Sequence, residues 1–410
     1  MPRTTELTAA PEGDGPRTTT PLTGWLAVCS VAVGIFSVVT TEMLPVGLLT
    51  AIGSDLDVSD GTAGLALTVP GVIAALAAPL LTVAVGRLDR RLVLCGLMGL
   101  LAAANVLSAL APVFPVLLFA RVLVGISIGG VWAIAAGLAA RLVPERSVGA
   151  ATSVIFSGIA VASVLGVPAG TLMGDLADWR VAFAAVGGLA VAVTVAMAVL
   201  LPPLPPAGTV RLNEVPGLLR VPRLRTGLVI TVLLVTGHFG AYTYVRPVLE
   251  DVSGVDSGLI STLLLCYGVA GIVGNFLAGS AAHRDPRRTL LVLCALLAAA
   301  QLLVPLLGRS TPGAVALLVV WGLAYGGVSV TTQTWMLRSV APQAREAGAA
   351  LFVGAFNMAI AAGALLGGQV ADRTTVEAVV WCGGTLAVLA LLTTALPVRD
   401  PAPAEEPATG

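Results

Sequence analysis

Three ionisable side chains lie inside long apolar stretches of the sequence: Glu42, Arg121 and His238. A charged side chain at the centre of a membrane helix costs roughly 2.5–3.5 kcal/mol on insertion scales, so each of these residues needs a reason. A carboxyl group takes up and releases protons, and a histidine titrates near neutral pH. Glu42 and His238 could therefore take up and release protons inside an apolar environment.

Other chemistries find little support in the sequence. All 22 basic residues are Arg, and without a Lys neither a Walker A phosphate loop nor a Schiff base can form. The run Gly125-Ile-Ser127-Ile-Gly129 matches a nucleophile elbow, but that motif needs a strand–turn–helix and this run lies in an apolar stretch. The five Cys form no C-x-x-C pair, and His238 and His283 are the only histidines. We therefore expect no enzyme, no metal site and no cofactor.

The elements that must position the three ionisable residues are membrane helices. Only 11% of the residues are charged, against roughly 25% in soluble domains. Apolar runs of about 20 residues, the length that crosses a bilayer, recur along the whole chain. We predict an all-α membrane protein with twelve spans, or eleven if one weak segment is re-entrant. The predicted spans are 24–50, 61–85, 92–111, 115–139, 147–173, 180–201, 226–248, 257–281, 289–308, 312–337, 346–370 and 376–397.

The arginines indicate the orientation of these spans. Seventeen of the 22 arginines fall in loops and tails on one side, and loops rich in Arg face the cytoplasm. The loops on the other side carry mainly acids. We therefore expect a multi-pass protein of the plasma membrane with both termini in the cytoplasm. The net charge of zero gives no reason to expect a nucleic-acid partner.

A polar stretch divides the chain in the middle. Residues 201–225 begin with Leu-Pro-Pro-Leu-Pro-Pro and carry four Arg. We interpret 202–225 as a cytoplasmic linker between an N-terminal six-helix bundle, 22–201, and a C-terminal one, 226–397. The ends, 1–21 and 398–410, are predicted to be disordered cytoplasmic tails.

An internal repeat relates the two bundles. An Arg-x-x-Arg-Arg pattern after the second span recurs 197 residues later after the eighth, and a glycine pattern in the fourth span recurs at the same offset in the tenth. Two independent patterns at one offset indicate two pseudo-symmetric bundles of six helices. The matched residues are Arg87, Arg90 and Arg91 with Arg284, Arg287 and Arg288, and Gly125, Gly129, Gly130 and Val131 with Gly322, Gly326, Gly327 and Val328.

The glycines indicate close contacts between helices. A spacing of four places Gly125 and Gly129 on one helix face, where backbones can approach each other. Gly166 and Gly170 do the same in the fifth span, and Pro168 between them frees a carbonyl and permits a kink. Such contacts suit helices that slide or rock, and they equally suit tight static packing.

These residues resemble the major facilitator superfamily, in particular its twelve-span drug:proton antiporter branch, which includes bacterial sugar, purine and chloramphenicol exporters. The resemblance covers about 24–397. Two departures are Gly86, where the loop motif usually carries an acid, and Val124, where a polar residue is frequent. The patterns that carry the resemblance are Thr41-Glu42-Met-Leu-Pro-Val-Gly-Leu-Leu49, Gly86-Arg87-Leu-Asp89-Arg90-Arg91, Leu117-x-x-x-Arg121-x-x-x-Gly125, Leu165-Gly166-Val-Pro168-Ala-Gly170-Thr and His238-Phe-Gly-Ala-Tyr242-Thr-Tyr244.

The resemblance implies proton-coupled export of a small molecule by alternating access, with the proton gradient as the energy source. It makes spans 1 and 4 neighbours, so that Glu42 and Arg121 would trade a proton for an ion pair. Arg121 aligns with Leu318 in the repeat, so the fold itself demands no charge there. A structural ion pair, a hydrated Glu42 and a hydrogen-bonded interior His238 are the alternatives. Conformational roles fall to Arg87, Asp89, Arg90, Arg91, Gly125, Gly129, Gly166, Pro168, Gly170, Arg284, Arg287 and Arg288.

The resemblance also implies a central substrate cavity lined by spans 4, 7 and 10. The candidate lining residues are Trp132, Tyr242, Tyr244, Trp321, Tyr325 and Gln333. Aromatic side chains with polar tips suit an aromatic or amphipathic substrate, and helix packing is the alternative role for each. Arg246 is expected to snorkel to the membrane interface.

The expected partners are the bilayer, protons and a small-molecule substrate, and the expected state is a monomer. The alternative functions are an importer or uniporter on the same scaffold, or a non-transporting receptor or enzyme. The enzyme alternative would need a cluster of catalytic groups, which the sequence does not offer. The receptor alternative would usually bring a soluble sensing domain, whereas the longest predicted loop has about 25 residues.

Overall fold

The computed structural model describes residues 21–84, 88–135, 138–205, 217, 219–341 and 345–397. Within these ranges, twelve helices are long and apolar enough to cross a membrane. The predicted all-α membrane fold is thereby confirmed. Both predicted tails, except for Pro21, and half of the predicted linker lie outside the described residues.

The twelve spans follow the predicted order, with bounds set by the structure. Span 2 is preceded by the short helix Asp60–Ala63. The first six are Pro21–Asp55, Leu65–Ala84, Arg90–Ala109, Phe114–Ala135, Val148–Val161 continued by Val167–Leu176, and Trp179–Leu200. The second six are Pro222–Tyr242, Ser257–Ala282, Pro286–Leu307, Thr311–Gly326 continued by Val328–Arg338, Arg345–Arg373, and Val376–Ala395.

Polar side chains in the short loops set where several spans begin. Asp89 accepts a hydrogen bond from the Arg91 amide at 2.8 Å, and Asp178 accepts one from the Arg180 amide at the same distance. Asp285 does the same for the amides of Arg287 and Arg288. A side-chain acceptor at this position satisfies one of the free N–H groups of the first turn. The starts of spans 3, 6 and 9 are therefore fixed by a local signal in the sequence.

The helices pack in the same pairs in both halves. Span 2 packs on span 4, span 3 on span 6, and span 1 on spans 5 and 6. The second half repeats these contacts six spans later, with 8 on 10, 9 on 12, and 7 on 11 and 12. Span 2 also packs on span 11 and span 5 on span 8, which joins the two halves. The two bundles are therefore pseudo-symmetric, as the 197-residue repeat predicts.

Two spans are interrupted by a π-helical turn. In span 5 this turn covers Ala162–Gly166 and precedes Pro168. In span 7 the helix gives way to Val245–Pro247 and then to a π turn over Val248–Val252. A proline removes the hydrogen bond to the carbonyl one turn back, and a π turn is one way to accommodate that loss. The irregularity predicted around Pro168 is thus present.

The glycines of span 4 lie where helices approach each other closely. A Cβ atom on Gly125 would lie 2.7 Å from the Pro70 carbonyl oxygen, and one on Gly129 would lie 2.7 Å from that of Ala74. Both contacts are with span 2. In the second half, Cβ atoms on Gly322 and Gly326 would overlap the backbone of span 8 in the same way. The predicted close approach is therefore present in both halves.

The glycines of span 5 line up along span 1. A Cβ on Gly166 would lie 2.8 Å from the Thr40 hydroxyl oxygen, and one on Gly170 would overlap the side chain of Leu44. Side chains spaced by four on span 1 thus fill the gaps left by glycines spaced by four on span 5. Any side chain larger than hydrogen at these glycines would push the two spans apart.

The loops that carry the repeated arginine pattern are held by arginines and by Asp89. The Asp89 carboxylate accepts a hydrogen bond from the Leu204 amide at 3.1 Å, and the Arg90 amide donates to the Leu204 carbonyl at 2.8 Å. Arg91 donates to the carbonyl of Ala198 at the end of span 6. The first residues of the predicted linker are therefore attached to the N-terminal half.

The second half has a similar anchor, but there it is Arg287, the repeat counterpart of Arg90 and not of Arg91. Arg287 donates to the carbonyls of Thr394, Ala395 and Leu396 at the end of span 12. Arg288 forms an exposed ion pair with Asp285 at 3.1 Å, and Arg284 is exposed. Arg87, the first residue of the loop pattern, lies outside the described residues. Its predicted conformational role stays a prediction.

We expect Gly129→Ala to destabilise the protein by about 1–3 kcal/mol, because the added methyl group forces span 4 away from the span 2 backbone. Gly188→Ala is the matched control, since a Cβ at Gly188 in span 6 meets nothing within 4 Å. Thermal unfolding of the purified protein in detergent measures both. Equal unfolding temperatures for the two variants would show that the close contact at Gly129 contributes nothing.

Candidate functional site

A proline in span 1 leaves one backbone carbonyl without its helical donor. Pro45 has no N–H, so the carbonyl of Thr41, four residues earlier, loses its normal hydrogen bond. Arg121 of span 4 takes the donor's place, with its Nη1 atom 2.9 Å from the Thr41 oxygen. The arginine side chain is fully buried. A backbone atom thus fixes the position of a guanidinium group inside the membrane.

Glu42 directly follows this carbonyl and is itself buried. Its Oε1 atom has no hydrogen-bond partner, and no ion pair joins Glu42 to Arg121 among the described residues. The Nε and Nη2 atoms of Arg121 are also unpartnered, while its guanidinium lies 4.5 Å from the centroid of the Phe183 ring. The ion pair implied by the family resemblance is therefore not formed in this conformation.

Asn105 of span 3 completes a polar cluster around Thr41. Its Nδ2 donates to the Thr41 hydroxyl at 3.0 Å and to the Leu101 carbonyl at 2.9 Å. Its Oδ1 is buried without a partner. Asn105 is not among the residues predicted from the sequence, although an amide within an apolar span is itself a signal. Buried polar atoms with unused hydrogen-bonding capacity are costly, so this cluster is a candidate for rearrangement.

The second half carries a cluster of rings around His238. The Tyr325 ring stacks on His238 with a centroid separation of 3.3 Å, and Tyr242 stacks on it at 5.1 Å. Trp321 Nε1 donates to His238 Nδ1 at 2.9 Å. A neutral His238 that accepts at Nδ1 carries its proton on Nε2. Four of the predicted candidates on spans 7 and 10 therefore form one contiguous group: His238, Tyr242, Trp321 and Tyr325.

Tyr267 of span 8 belongs to the same group and was missed by the sequence analysis. Its ring stacks on Tyr242 at 4.7 Å between centroids. The available signal was composition, since the chain has only four Tyr and three of them meet here. Met43, next to Glu42 in the chain, packs against the same apolar cluster as Tyr325. The aromatic group of the second half thus borders the polar cluster of the first.

Three other predicted cavity residues lie apart from this group. Trp132 stacks on Phe156 of span 5 at 6.3 Å between centroids. Gln333 is exposed on the second part of span 10. Tyr244 is fully buried, and its hydroxyl donates to the Ala364 carbonyl of span 11 at 3.0 Å. In this conformation Tyr244 packs between helices and lines no open surface.

The prediction that Arg246 snorkels to the membrane interface is wrong. The residue is 6% exposed, and its guanidinium contacts Glu250, Asp175 and the Gly47 carbonyl. Snorkelling assumes that a guanidinium finds its only polar partners in water. Here the protein supplies three acceptors, which the sequence pattern around Arg246 alone does not reveal.

The sequence profile described as "Major Facilitator Superfamily" matches residues 31–353 and 228–410. The chain belongs to the major facilitator superfamily. It is similar to the solved structure of a bacterial homologue of the human lysosomal transporter Spinster in an inward-facing and occupied conformation. The TM-score is 0.72 with 16% identity, covering 92% of this chain and 96% of that one. At this identity the likeness shows the fold alone.

Two relatives match nearly the whole chain. The purine ribonucleoside efflux pump NepI of Salmonella paratyphi A is 33% identical over 92% of this chain and 94% of its own. The transcription regulatory protein OpdE of Pseudomonas aeruginosa is 35% identical over 93% and 95%. The superfamily and its efflux pumps are transporters, which agrees with a chain that is not an enzyme. Ser127, the apparent nucleophile, lies within the helix Phe114–Ala135 and donates to the Leu123 carbonyl.

We expect Trp321→Phe to destabilise the protein by about 1–3 kcal/mol, because it leaves His238 Nδ1 buried without a donor while it keeps most of the ring packing. Trp381→Phe is the control, since Trp381 is 39% exposed on span 12. Thermal unfolding in detergent measures both variants. An unchanged unfolding temperature for Trp321→Phe would mean that the hydrogen bond to His238 does not stabilise the cluster.

Proposed function

We propose that this chain is a proton-coupled exporter of small molecules such as drugs, sugars or nucleoside-like metabolites. It works by alternating access in the plasma membrane, as a monomer with both termini in the cytoplasm, and the proton gradient drives it. The observation that carries the proposal is the buried, unpaired Glu42, which follows Thr41, whose carbonyl binds the buried, partly unpartnered Arg121.

The polar cluster supplies the means of coupling. A charged carboxylate at Glu42 needs a cation or donors, whereas a protonated one does not. Arg121 keeps free N–H groups while it holds the Thr41 carbonyl, so it has donors available for Glu42 without leaving span 1. Loss of the proton from Glu42 draws the two side chains together, and protonation separates them. Movement of spans 1 and 4 thus becomes linked to the proton.

The aromatic group is the proposed substrate-binding region. His238, Tyr242, Tyr325 and Trp321 offer flat faces and polar ring atoms, which suit a planar, hydrogen-bonding ring system. The relative NepI is named for purine ribonucleosides, which have such a ring. Met43, the neighbour of Glu42, packs against the same apolar cluster as Tyr325, so a substrate that displaced this ring would also affect the proton site. A nucleoside-like substrate is therefore the first to test.

Two other functions are the alternatives. An importer or uniporter would use the same scaffold, and counterflow without proton movement would identify it. A non-transporting regulatory protein is favoured by the name of the relative OpdE. A regulatory protein would bind a ligand without moving it across the membrane.

Purified protein in liposomes with an acidic interior should accumulate a radiolabelled purine ribonucleoside, because outward proton flow drives inward substrate movement. Glu42→Gln should reduce this accumulation at least about tenfold while it leaves counterflow without a gradient largely intact, since only the titrating group is lost. Glu377→Gln, at a partly exposed outer position, is the control. Accumulation by Glu42→Gln at the wild-type level would overturn the coupling role of Glu42.

A susceptibility and efflux screen in a bacterial strain lacking its own exporters tests direction and substrate class. Expression of the wild-type chain should lower cellular accumulation of at least one compound among purine nucleosides, sugars and antibiotics. Glu42→Gln and Arg121→Ala should lose that effect, because each removes one member of the coupling pair. If the wild-type chain raised accumulation instead, the importer alternative would replace the exporter.

A further inference from the structure

The outer ends of spans 5 and 11 carry two acids at equivalent positions of the repeat. Asp175 and Asp372 are separated by the same 197 residues that relate the two halves. Asp175 ends span 5 of the first half, and Asp372 ends span 11 of the second. Each carboxylate contacts the opposite half. The pseudo-symmetry of the fold thus produces two related contacts across one interface.

The first contact is an ion pair between Asp175 and Arg246. Arg246 Nη2 lies 2.9 Å from Asp175 Oδ1, and Nη1 donates to the Gly47 carbonyl of span 1 at 2.9 Å. The third partner, Glu250, lies four residues further along the same half. Two of the three acceptors therefore belong to the N-terminal half, and the guanidinium that joins them is 6% exposed.

The second contact is made by Asp372 with the loop before span 2. Asp372 Oδ2 accepts from the Ser59 hydroxyl at 2.9 Å, and Oδ1 accepts from the Gly61 amide at 3.0 Å. Gly61 and Gly368 face each other here, and a Cβ on Gly368 would lie 2.9 Å from the Gly61 carbonyl oxygen. Because neither glycine has a side chain, the two halves come close enough for Asp372 to accept these two hydrogen bonds.

The hydrogen bonds and ion pairs found between described residues of opposite halves all lie at these outer ends. Beneath them, Val46, Leu67 and Val167 of the first half are buried in one apolar cluster with residues of the second. The polar contacts and this apolar layer together close the outer side of the central region.

We propose that Arg246 with Asp175 and Gly47, and Asp372 with Ser59 and Gly61, form a two-part outer latch. The latch holds the outer ends of the two halves together in this conformation and must open before the central region can face outward. It uses the alternating access of the proposed function but requires neither proton coupling nor a particular substrate. Loss of Asp175 leaves a buried arginine without its cross-half anion, which favours the outward-open state.

A buried reporter cysteine tests the latch. Val46 is fully buried between the halves, so Val46→Cys, in a chain whose five native cysteines are replaced by alanine, is shielded in this conformation. The measurement is the rate at which a membrane-impermeant maleimide labels this cysteine from the outer side in liposomes. Neither substrate nor a proton gradient is present, so a failure of Glu42 coupling leaves the assay unaffected.

Asp175→Asn and Asp372→Asn should each raise the outer labelling rate, and the double variant should raise it about tenfold or more, as the open population grows. Asp55→Asn is the matched control, because Asp55 forms an outer ion pair with Arg180 at 2.7 Å within one half. Gel filtration and unfolding temperature show whether each variant is folded.

A folded double variant that labels at the rate of the parent and of Asp55→Asn would overturn the latch. If Asp175→Asn does not fold, Asp372→Asn alone tests the latch. The partners of Asp372 are a hydroxyl and an amide at an exposed site, so they can bind water when the carboxylate is removed. Faster labelling of Asp372→Asn than of Asp55→Asn supports the latch, and equal rates contradict it.

Discussion

Inside a membrane, a backbone carbonyl that loses its helical donor must find another one, and the carbonyl of Thr41 finds Arg121. This single hydrogen bond explains why a guanidinium lies fully buried in span 4. It also places that guanidinium on the carbonyl of the residue before Glu42, with which it forms no ion pair among the described residues. Pro45 leaves the Thr41 carbonyl without a backbone donor, and Arg121 supplies a donor instead. The remaining N–H groups of the arginine are then available for other hydrogen bonds. The proposed proton site follows from a backbone requirement.

The repeat gives the two halves the same arrangement of helices but different side chains at equivalent positions. His238 is the repeat equivalent of Thr41, and Trp321 lies three residues beyond Leu318, the equivalent of Arg121. Each half therefore has a buried hydrogen bond between its first and fourth helices at the same level of the fold, Arg121 to Thr41 in one and Trp321 to His238 in the other. The first bond involves a charge and the second an aromatic group. Such a division suits a protein whose halves share a shape and differ in task.

The sequence predicts the frame well and the contacts between helices poorly. The twelve spans follow from the length of the apolar runs, and the two six-helix halves follow from the 197-residue repeat. The close approach at Gly125 and Gly129 follows from glycine having no side chain. Tyr267 and Asn105 were missed because a helix that is apolar on all sides does not reveal which face points inward. Arg246 was placed wrongly for a related reason. Its partners Asp175 and Gly47 are distant in sequence, and only the packing of span 7 against spans 1 and 5 brings them near.

The burial of Arg246 has a consequence for how the protein responds to its surroundings. Mobile ions screen exposed charges over about 10 Å at 0.1 M salt, but they act weakly on pairs that water does not reach. The Arg246 side chain is 7% exposed and that of Asp175 is 21% exposed, whereas the values for Arg180 and Asp55 are 29% and 43%. The contact between the halves is thus shielded from the external medium more than the pair within one half. A rise in the salt concentration of the surrounding medium should therefore weaken the Arg180–Asp55 pair more than the Arg246–Asp175 pair.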